Sequence, residues 1–179
     1  MTSFERIDGE TVYEGRIFDV VRERFRHDDG EEAERENVVH GGAVGIVVHD
    51  DEHLWLVRQP REAIRRDDVL EIPAGRLDVE GESPEEAARR ELAEELGLAA
   101  DEWRHLTTYF SSAGFTNEEL HLYVATGLRE VDQPATEEDE RIELVKWPLA
   151  DLDGAIDACV DAKTLIGLLL LRRRTGARA

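Results

Sequence analysis

Ser83-Pro84-Glu85-Glu86 starts a helix and Gly97 ends it, and no other stretch constrains this chain as much. Ser83 can accept a hydrogen bond as the cap, Pro84 suits the first helical position, and Glu86 can reach back to close a capping box. A glycine just past the last apolar residue is a common helix stop. The spacing predicts a helix over Pro84 to Leu96. Within it, Glu91, Glu94 and Glu95 stand at i, i+3 and i+4 and share one face. Like charges on one turn repel, so a helix that keeps three of them calls for a cation. Carboxylate oxygens without Cys or His beside them favour Mg²⁺ or Mn²⁺ over zinc.

The rest of the chain is acidic as well. Its 42 acidic residues outnumber 22 basic ones, a formal net charge of −20 spread over 179 residues. Such a field disfavours nonspecific binding to nucleic acid or to an anionic membrane. Only Lys146 and Lys163 are lysines; the other basic residues are arginines. An acid-rich, lysine-poor composition resembles that of proteins from salt-accumulating halophiles, where salt screens self-repulsion. The single cysteine, Cys159, excludes an internal disulfide and fits a reducing cytoplasm. It lies in an apolar helical pattern and is expected to be an inert core thiol. MTSFERIDGE carries no apolar stretch of the kind a signal peptide needs, and the apolar run Leu165 to Leu171 is too short to span a bilayer. A cytoplasmic location is expected.

The length suits one domain, residues 1–179, with N-terminal strands over 1–37 and a core over 38–179. Thr11 to Arg26 suggests two strands around Gly15, and Asp28 to Glu36 a charged loop. Ala43 to His49 and His53 to Gln59 form a hairpin around Asp50-Asp51-Glu52. A short strand, Val69 to Ile72, stops at Pro73. Further strands are expected at Arg104 to Phe110, Leu120 to Thr126 and Ile142 to Trp147. One helix is expected over Gly154 to Arg173. Strands interrupted by two separated helices imply an α/β fold with a mixed sheet.

Glu82, seven residues, then Arg90-Glu91-Leu92-Ala93-Glu94-Glu95-Leu96-Gly97-Leu98 resembles the signature of the Nudix hydrolases. One departure is visible: Gly75 precedes Glu82 by six intervening residues where the pattern has five. Insertion is cheap in the loop Arg76 to Gly81. The resemblance spans about residues 38 to 171 and implies a Nudix α/β/α sandwich. It also implies hydrolysis of a nucleoside diphosphate linked to another group, with Mg²⁺ (or Mn²⁺). By the same resemblance Glu91 and Glu95 are the main metal ligands, Glu94 assists, Arg90 orients the glutamates, and Glu82 supports the loop or a water.

Three stretches outside the signature resemble the ADP-ribose pyrophosphatases within that family. Glu71-Ile72-Pro73-Ala74-Gly75 matches their lead-in, where the carbonyl at the position of Ala74 also binds metal. Val57-Arg58-Gln59-Pro60-Arg61 matches their strand whose last arginine, here Arg61, contacts the diphosphate; a guanidinium fork suits paired phosphate oxygens. Ser112-Ala113-Gly114-Phe115-Thr116-Asn117-Glu118 matches their loop, with Ala113 in place of proline and Glu118 as base or metal ligand. Glu71, Gly114 and Arg61 are therefore expected at the substrate. Glu140, in the acidic run Glu137 to Glu140, is a lesser candidate for base. Tyr13, Phe18 and Phe25, whose place in that family often carries adenine, are expected in the core. The resemblance implies a homodimer and conversion of ADP-ribose to AMP and ribose 5-phosphate. The alternative substrates are a nucleotide sugar, NADH or a flavin dinucleotide. A binding-only sensor with the same fold is the reading from another class; the intact glutamate set argues against it.

Overall fold

A computed structural model of the chain describes residues 3–131 and 141–176, so the acidic run Glu137 to Glu140 lies outside the described residues. The chain divides into two compact units, one of residues 1–42 and 109–119 and the other of residues 43–108 and 120–179.

The first unit is built on an antiparallel three-stranded sheet, β1 (Phe4–Tyr13), β2 (Phe18–His27) and β3 (Glu32–His40), in that order. Its strands carry cross-strand ion pairs. Arg26 meets Glu32 at 2.9 Å and Glu5 at 3.2 Å, and Arg24 pairs with Asp8. Exposed pairs of this kind contribute little to stability, but they give a charged segment a reason to be a strand. That corrects the expected loop over Asp28 to Glu36: β3 begins at Glu32. Tyr13 and Phe18, expected in the core, are 57% and 42% exposed, because the sheet leaves their ring faces uncovered.

The strands of the second unit are β4 (Ala43–His49), β5 (His53–Arg61), β6 (Arg66–Glu71), β7 (Ala74–Arg76), β10 (Glu143–Pro148), and, up to residue 108 and from residue 120, β8 (Leu98–Phe110) and β9 (Glu119–Glu130). They run β10-β5-β4-β9-β8, with β6 on β5 and β7 on β4. The β4–β9 pair is parallel; β4–β5, β5–β10, β5–β6 and β4–β7 are antiparallel. The sheet is mixed, as expected. Three α-helices accompany it among the described residues: α1 (Pro84–Leu96), α2 (Leu152–Ala158) and α3 (Ala162–Gly176).

The β4 sequence AVGIVVH is apolar on both faces because both are covered. Val44, Ile46 and Val48 join Ala87, Ala88, Leu92 and Leu96 of α1 in one cluster. On the opposite face Val47, with Ile72 and Leu122, lies against Gly167 of α3. A sheet with a helix on each face is the α/β/α sandwich expected.

The helix expected over Gly154 to Arg173 is two helices. The chain turns extended at Cys159 (ψ 144°), which closes α2. Asp161 then caps α3, its carboxylate accepting from the Thr164 N–H at 3.0 Å and the Thr164 hydroxyl at 2.7 Å. Cys159 is buried, and burial pushes its thiol up to about 11, consistent with an inert group.

Candidate active site

α1 occupies the span its caps dictate. Ser83 and Glu86 form the reciprocal capping box, and Gly97 closes the helix in the left-handed conformation, φ 64°. Ala87, Ala88, Leu92 and Leu96 go to the core. That rotation fixes where the charged residues point. β7, the three-residue strand inside the lead-in, runs beside α1 and pairs with β4, Gly75 opposite Val44 and Ala74 opposite Gly45.

These two elements bring the expected residues together. The Ala74 N–H donates to Glu95 Oε2 at 3.2 Å. Gly75 lies so close to Glu91 that a Cβ there would fall on the Glu91 carboxylate. Arg90 sits at the middle: its Nε and one terminal nitrogen donate to the two oxygens of Glu82, each at 3.1 Å. Its other terminal nitrogen donates to Glu91 at 2.7 Å and Glu94 at 3.0 Å. The fork to Glu82, then the bonds to Glu91 and Glu94, raise the Arg90 pKa, so it stays a cation throughout. The Gly75-to-Glu82 loop ends in a turn in which the Glu82 N–H donates to the Val79 carbonyl at 3.2 Å, and Glu82 reaches Arg90.

The donor set fits a hard divalent cation: carboxylate oxygens, no thiolate and no imidazole. Among the described residues no group of three His, Cys, Asp or Glu side chains is arranged to hold a metal ion. Arg90 draws Glu91 and Glu94 into its own fork, and Glu95 faces Ala74. The glutamates are gathered on a rigid helix face, with Gly75 leaving the space that Glu91 fills. Gly75→Ala should therefore displace Glu91 and lower turnover by about 10- to 100-fold, with α1 still formed by circular dichroism; unchanged turnover would show that the close approach is dispensable.

Arg61 lies at the end of β5 and Glu71 at the end of β6. They form a two-pronged ion pair, Arg61 Nε to Glu71 Oε1 at 2.6 Å and a terminal nitrogen to Oε2 at 2.7 Å. Glu71 is 1% exposed whereas the Arg61 side chain is 43% exposed. Glu71 is thus an internal anchor, and Arg61 presents its remaining donors outward. Arg58 pairs with Asp68 at the surface, as a plain surface charge would.

Sequence reasoning missed the partners behind Glu71. Lys163 donates to Glu71 Oε2 and to Asp161 at 3.0 Å. Thr164, fully buried, accepts from the Ile72 N–H at 2.9 Å through its hydroxyl. The signal was an Asp three residues before a Thr, a helix cap hidden by reading one helix through it. Burial pushes the Asp161 carboxyl up, but the Lys163 ammonium and the Thr164 donors outweigh it and leave it below its ordinary value. A carboxyl lowered by folding contributes stability above its unfolded pKa of about 3.9 and loses it as pH falls through the folded value. Asp161→Asn should flatten the acid side of the stability curve below about pH 4 in urea titrations; an unaltered acid slope would count against this pairing.

In the first unit, Gly114 and Glu118 belong to the loop between β8 and β9. The loop is tied to β3: Val38 N–H donates to the Phe115 carbonyl at 2.7 Å and His40 N–H to the Asn117 side chain at 2.8 Å. Glu118 has its N–H on Thr116 Oγ1 at 3.1 Å and its carboxylate 3.9 Å from His40 Nδ1. That nitrogen accepts from the Gly42 N–H at 3.0 Å, so it is not a donor to Glu118.

The NUDIX domain profile matches residues 39–165. An ADP-ribose pyrophosphatase of Mycobacterium tuberculosis is 42% identical over 150 residues, 83% of this chain and 72% of that protein. An ADP-ribose pyrophosphatase of Bacillus subtilis is 32% identical over 174 residues, 95% of this chain and 93% of that protein. Among solved structures, that of an ADP compounds hydrolase superposes with a TM-score of 0.85 at 26% identity, covering 98% of this chain and 96% of the other.

Proposed function

We infer the activity from one premise: this chain belongs to the Nudix family of hydrolases. The reading is a Mg²⁺-dependent ADP-ribose pyrophosphatase. Water attacks one phosphorus of ADP-ribose, the bridging P–O bond breaks, and AMP and ribose 5-phosphate leave. The observation that carries it is the pairing of a glutamate helix face, held by Arg90, with a lead-in strand whose Gly75 makes room for Glu91. The two relatives named as ADP-ribose pyrophosphatases support the substrate.

Each residue has a part. Glu91 and Glu95, assisted by Glu94 and the Ala74 carbonyl, would hold the cation. When bound, Mg²⁺ (or Mn²⁺) offsets the charge that grows on the breaking diphosphate and makes water a better nucleophile. Arg90 and Glu82 keep the glutamates from splaying apart under mutual repulsion. Arg61, forked on Glu71, offers its outward donors to the diphosphate. Glu118 is the proposed proton acceptor, and Gly114 on the same loop is proposed to lie at the substrate. Its test is Glu118→Gln, which should lower kcat about 100-fold or more with KM little changed; unchanged kcat would remove Glu118 as the base.

The experiment is a substrate panel. Purified protein with Mg²⁺ in high salt is offered ADP-ribose, nucleotide sugars, NADH, a flavin dinucleotide and diadenosine polyphosphates. ADP-ribose should be cleaved fastest. Similar rates on all would defeat the ADP-ribose assignment, and cleavage of none would favour a binding-only sensor.

A homodimer and a cytoplasmic location are part of the same reading. In the first unit Phe4, Val12, Tyr13, Ile17, Phe18 and Val39 are exposed, apolar side chains that a partner copy would cover. Among the described residues no helix is long and apolar enough to cross a membrane. Light scattering coupled to gel filtration in molar salt should give twice the 20.3 kDa chain mass; a monomer at micromolar concentration would contradict the dimer.

A further inference from the structure

Behind Arg61 lies a line of alternating charge whose inner members, Lys163 and Asp161, have no part in the proposed activity. Arg61 meets Glu71, Glu71 meets Lys163, and Lys163 meets Asp161. Two cations and two anions balance. Exposure falls from 43% at Arg61 to 1% at Glu71, with Lys163 at 12% and Asp161 at 23%. A carboxylate as buried as Glu71, facing only a half-exposed arginine, would be a poorly offset charge. Lys163 supplies the second cation, on the oxygen that also receives an Arg61 terminal nitrogen.

Residue choice points the same way. Arginine fills every basic position of this chain except Lys146 and Lys163. Lys146 covers the Trp55 ring. Lys163 stands between two carboxylates, Glu71 and Asp161, where a compact ammonium with three donors can meet both. The same helical turn reaches the backbone as well: the Thr164 hydroxyl donates to Asp161 and accepts from the Ile72 N–H. The first turn of α3 thus grips the end of β6 twice, at the Glu71 side chain and the Ile72 amide. That end of β6 runs directly into Pro73, Ala74 and Gly75.

We propose that Lys163, pinned by Asp161, is a positioning residue for substrate binding, acting through Glu71 to hold the Arg61 guanidinium in the orientation that receives a diphosphate. The proposal rests on the functional reading above for its ligand but not for its geometry. With Lys163 gone, Glu71 still attracts Arg61 but no longer from a fixed place, and the arginine loses its preorganisation, not its charge. Such a loss weakens binding in the ground state and transition state alike.

The test uses the full chain. Lys163→Met should raise KM for ADP-ribose about 10-fold while kcat stays within about 3-fold. In an Arg61→Gln background the same substitution should change KM by less than about 2-fold, since the arginine it serves is gone. A second readout needs no substrate: the Arg61 Nε–Hε resonance in ¹⁵N NMR, identified as the signal missing in Arg61→Gln, should shift or broaden in Lys163→Met. If Lys163→Met does not fold, Asp161→Asn takes its place with the same expectations. A KM effect that multiplies in full in the Arg61→Gln background, or a lower melting temperature with KM unchanged, overturns the proposal and leaves Lys163 a purely structural residue. If the wild-type chain cleaves no diphosphate, the functional reading falls by itself, and the NMR signal still decides: an unmoved resonance refutes the relay and a moved one upholds it.

Discussion

Glu91→Gln and Glu95→Gln are each expected to lower turnover at least about a hundredfold while leaving the fold intact. The substitution keeps size and hydrogen-bonding capacity but removes one negative charge from the cation's proposed seat. Glu91 is the residue for which Gly75 leaves room, and Arg90 already holds it. Glu95 accepts from the Ala74 N–H across the gap between α1 and β7. Neither contributes to the apolar face of α1, which consists of Ala87, Ala88, Leu92 and Leu96. Relief of like-charge repulsion on the helix should leave melting temperature equal or slightly higher. Steady-state rates with and without Mg²⁺, beside a thermal melt, make the check. Near wild-type turnover in either folded variant would remove α1 as the metal platform.

The second large effect concerns stability. Glu71→Gln should destabilise the chain by about 3 kcal/mol, measured by urea unfolding at neutral pH. Glu71 is 1% exposed and offsets two cations, Arg61 and Lys163. Removing its charge leaves Lys163 buried beside an amide. Arg61 is half in water, so its share of the loss is small, which places the figure at the lower end of the range for broken buried pairs. Glu71→Gln should also raise KM, because Arg61 loses its fork. A loss below about 1 kcal/mol would mean that solvent or Asp161 compensates Lys163 readily.

These two predictions rest on features of different visibility in the sequence. α1 was readable to the residue because caps, helix stop and charge spacing are local: Ser83, Pro84, Glu86 and Gly97 act within a few positions of one another. β4 was readable because a run covered on both sides is apolar from Ala43 to Val48. β3 was not, since Glu32 to Asn37 shows no apolar alternation. What makes it a strand is charge pairing with β2, such as Arg22 with Glu36 at 3.6 Å, and a partner strand is not visible in a local window. The first half of β8, from Leu98 to Trp103, was missed because the strand follows the helix stop without a loop.

The break between α2 and α3 was hidden for a related reason. Apolar spacing continues through Cys159 and Asp161, so periodicity alone joins the two helices. Only the cap function of Asp161 separates them. That misreading also concealed Lys163 and Thr164, which meet Glu71 and Ile72 across 92 residues of sequence. For the site itself, the sequence named the glutamates, Arg90 and the lead-in. It did not say that Arg90 would hold Glu82, Glu91 and Glu94 at once, nor that Gly75 would be pressed against Glu91. Those are facts of approach between β7 and α1, and local patterns carry no such distances.

The most direct test follows the phosphorus of ADP-ribose by ³¹P NMR, with the wild-type chain first in excess chelator and then with Mg²⁺ added beyond it. The account predicts that the diphosphate signals persist in chelator and disappear after Mg²⁺, replaced by the two phosphomonoester signals of AMP and ribose 5-phosphate. Diphosphate signals that survive Mg²⁺, or that vanish equally fast in chelator, would contradict it.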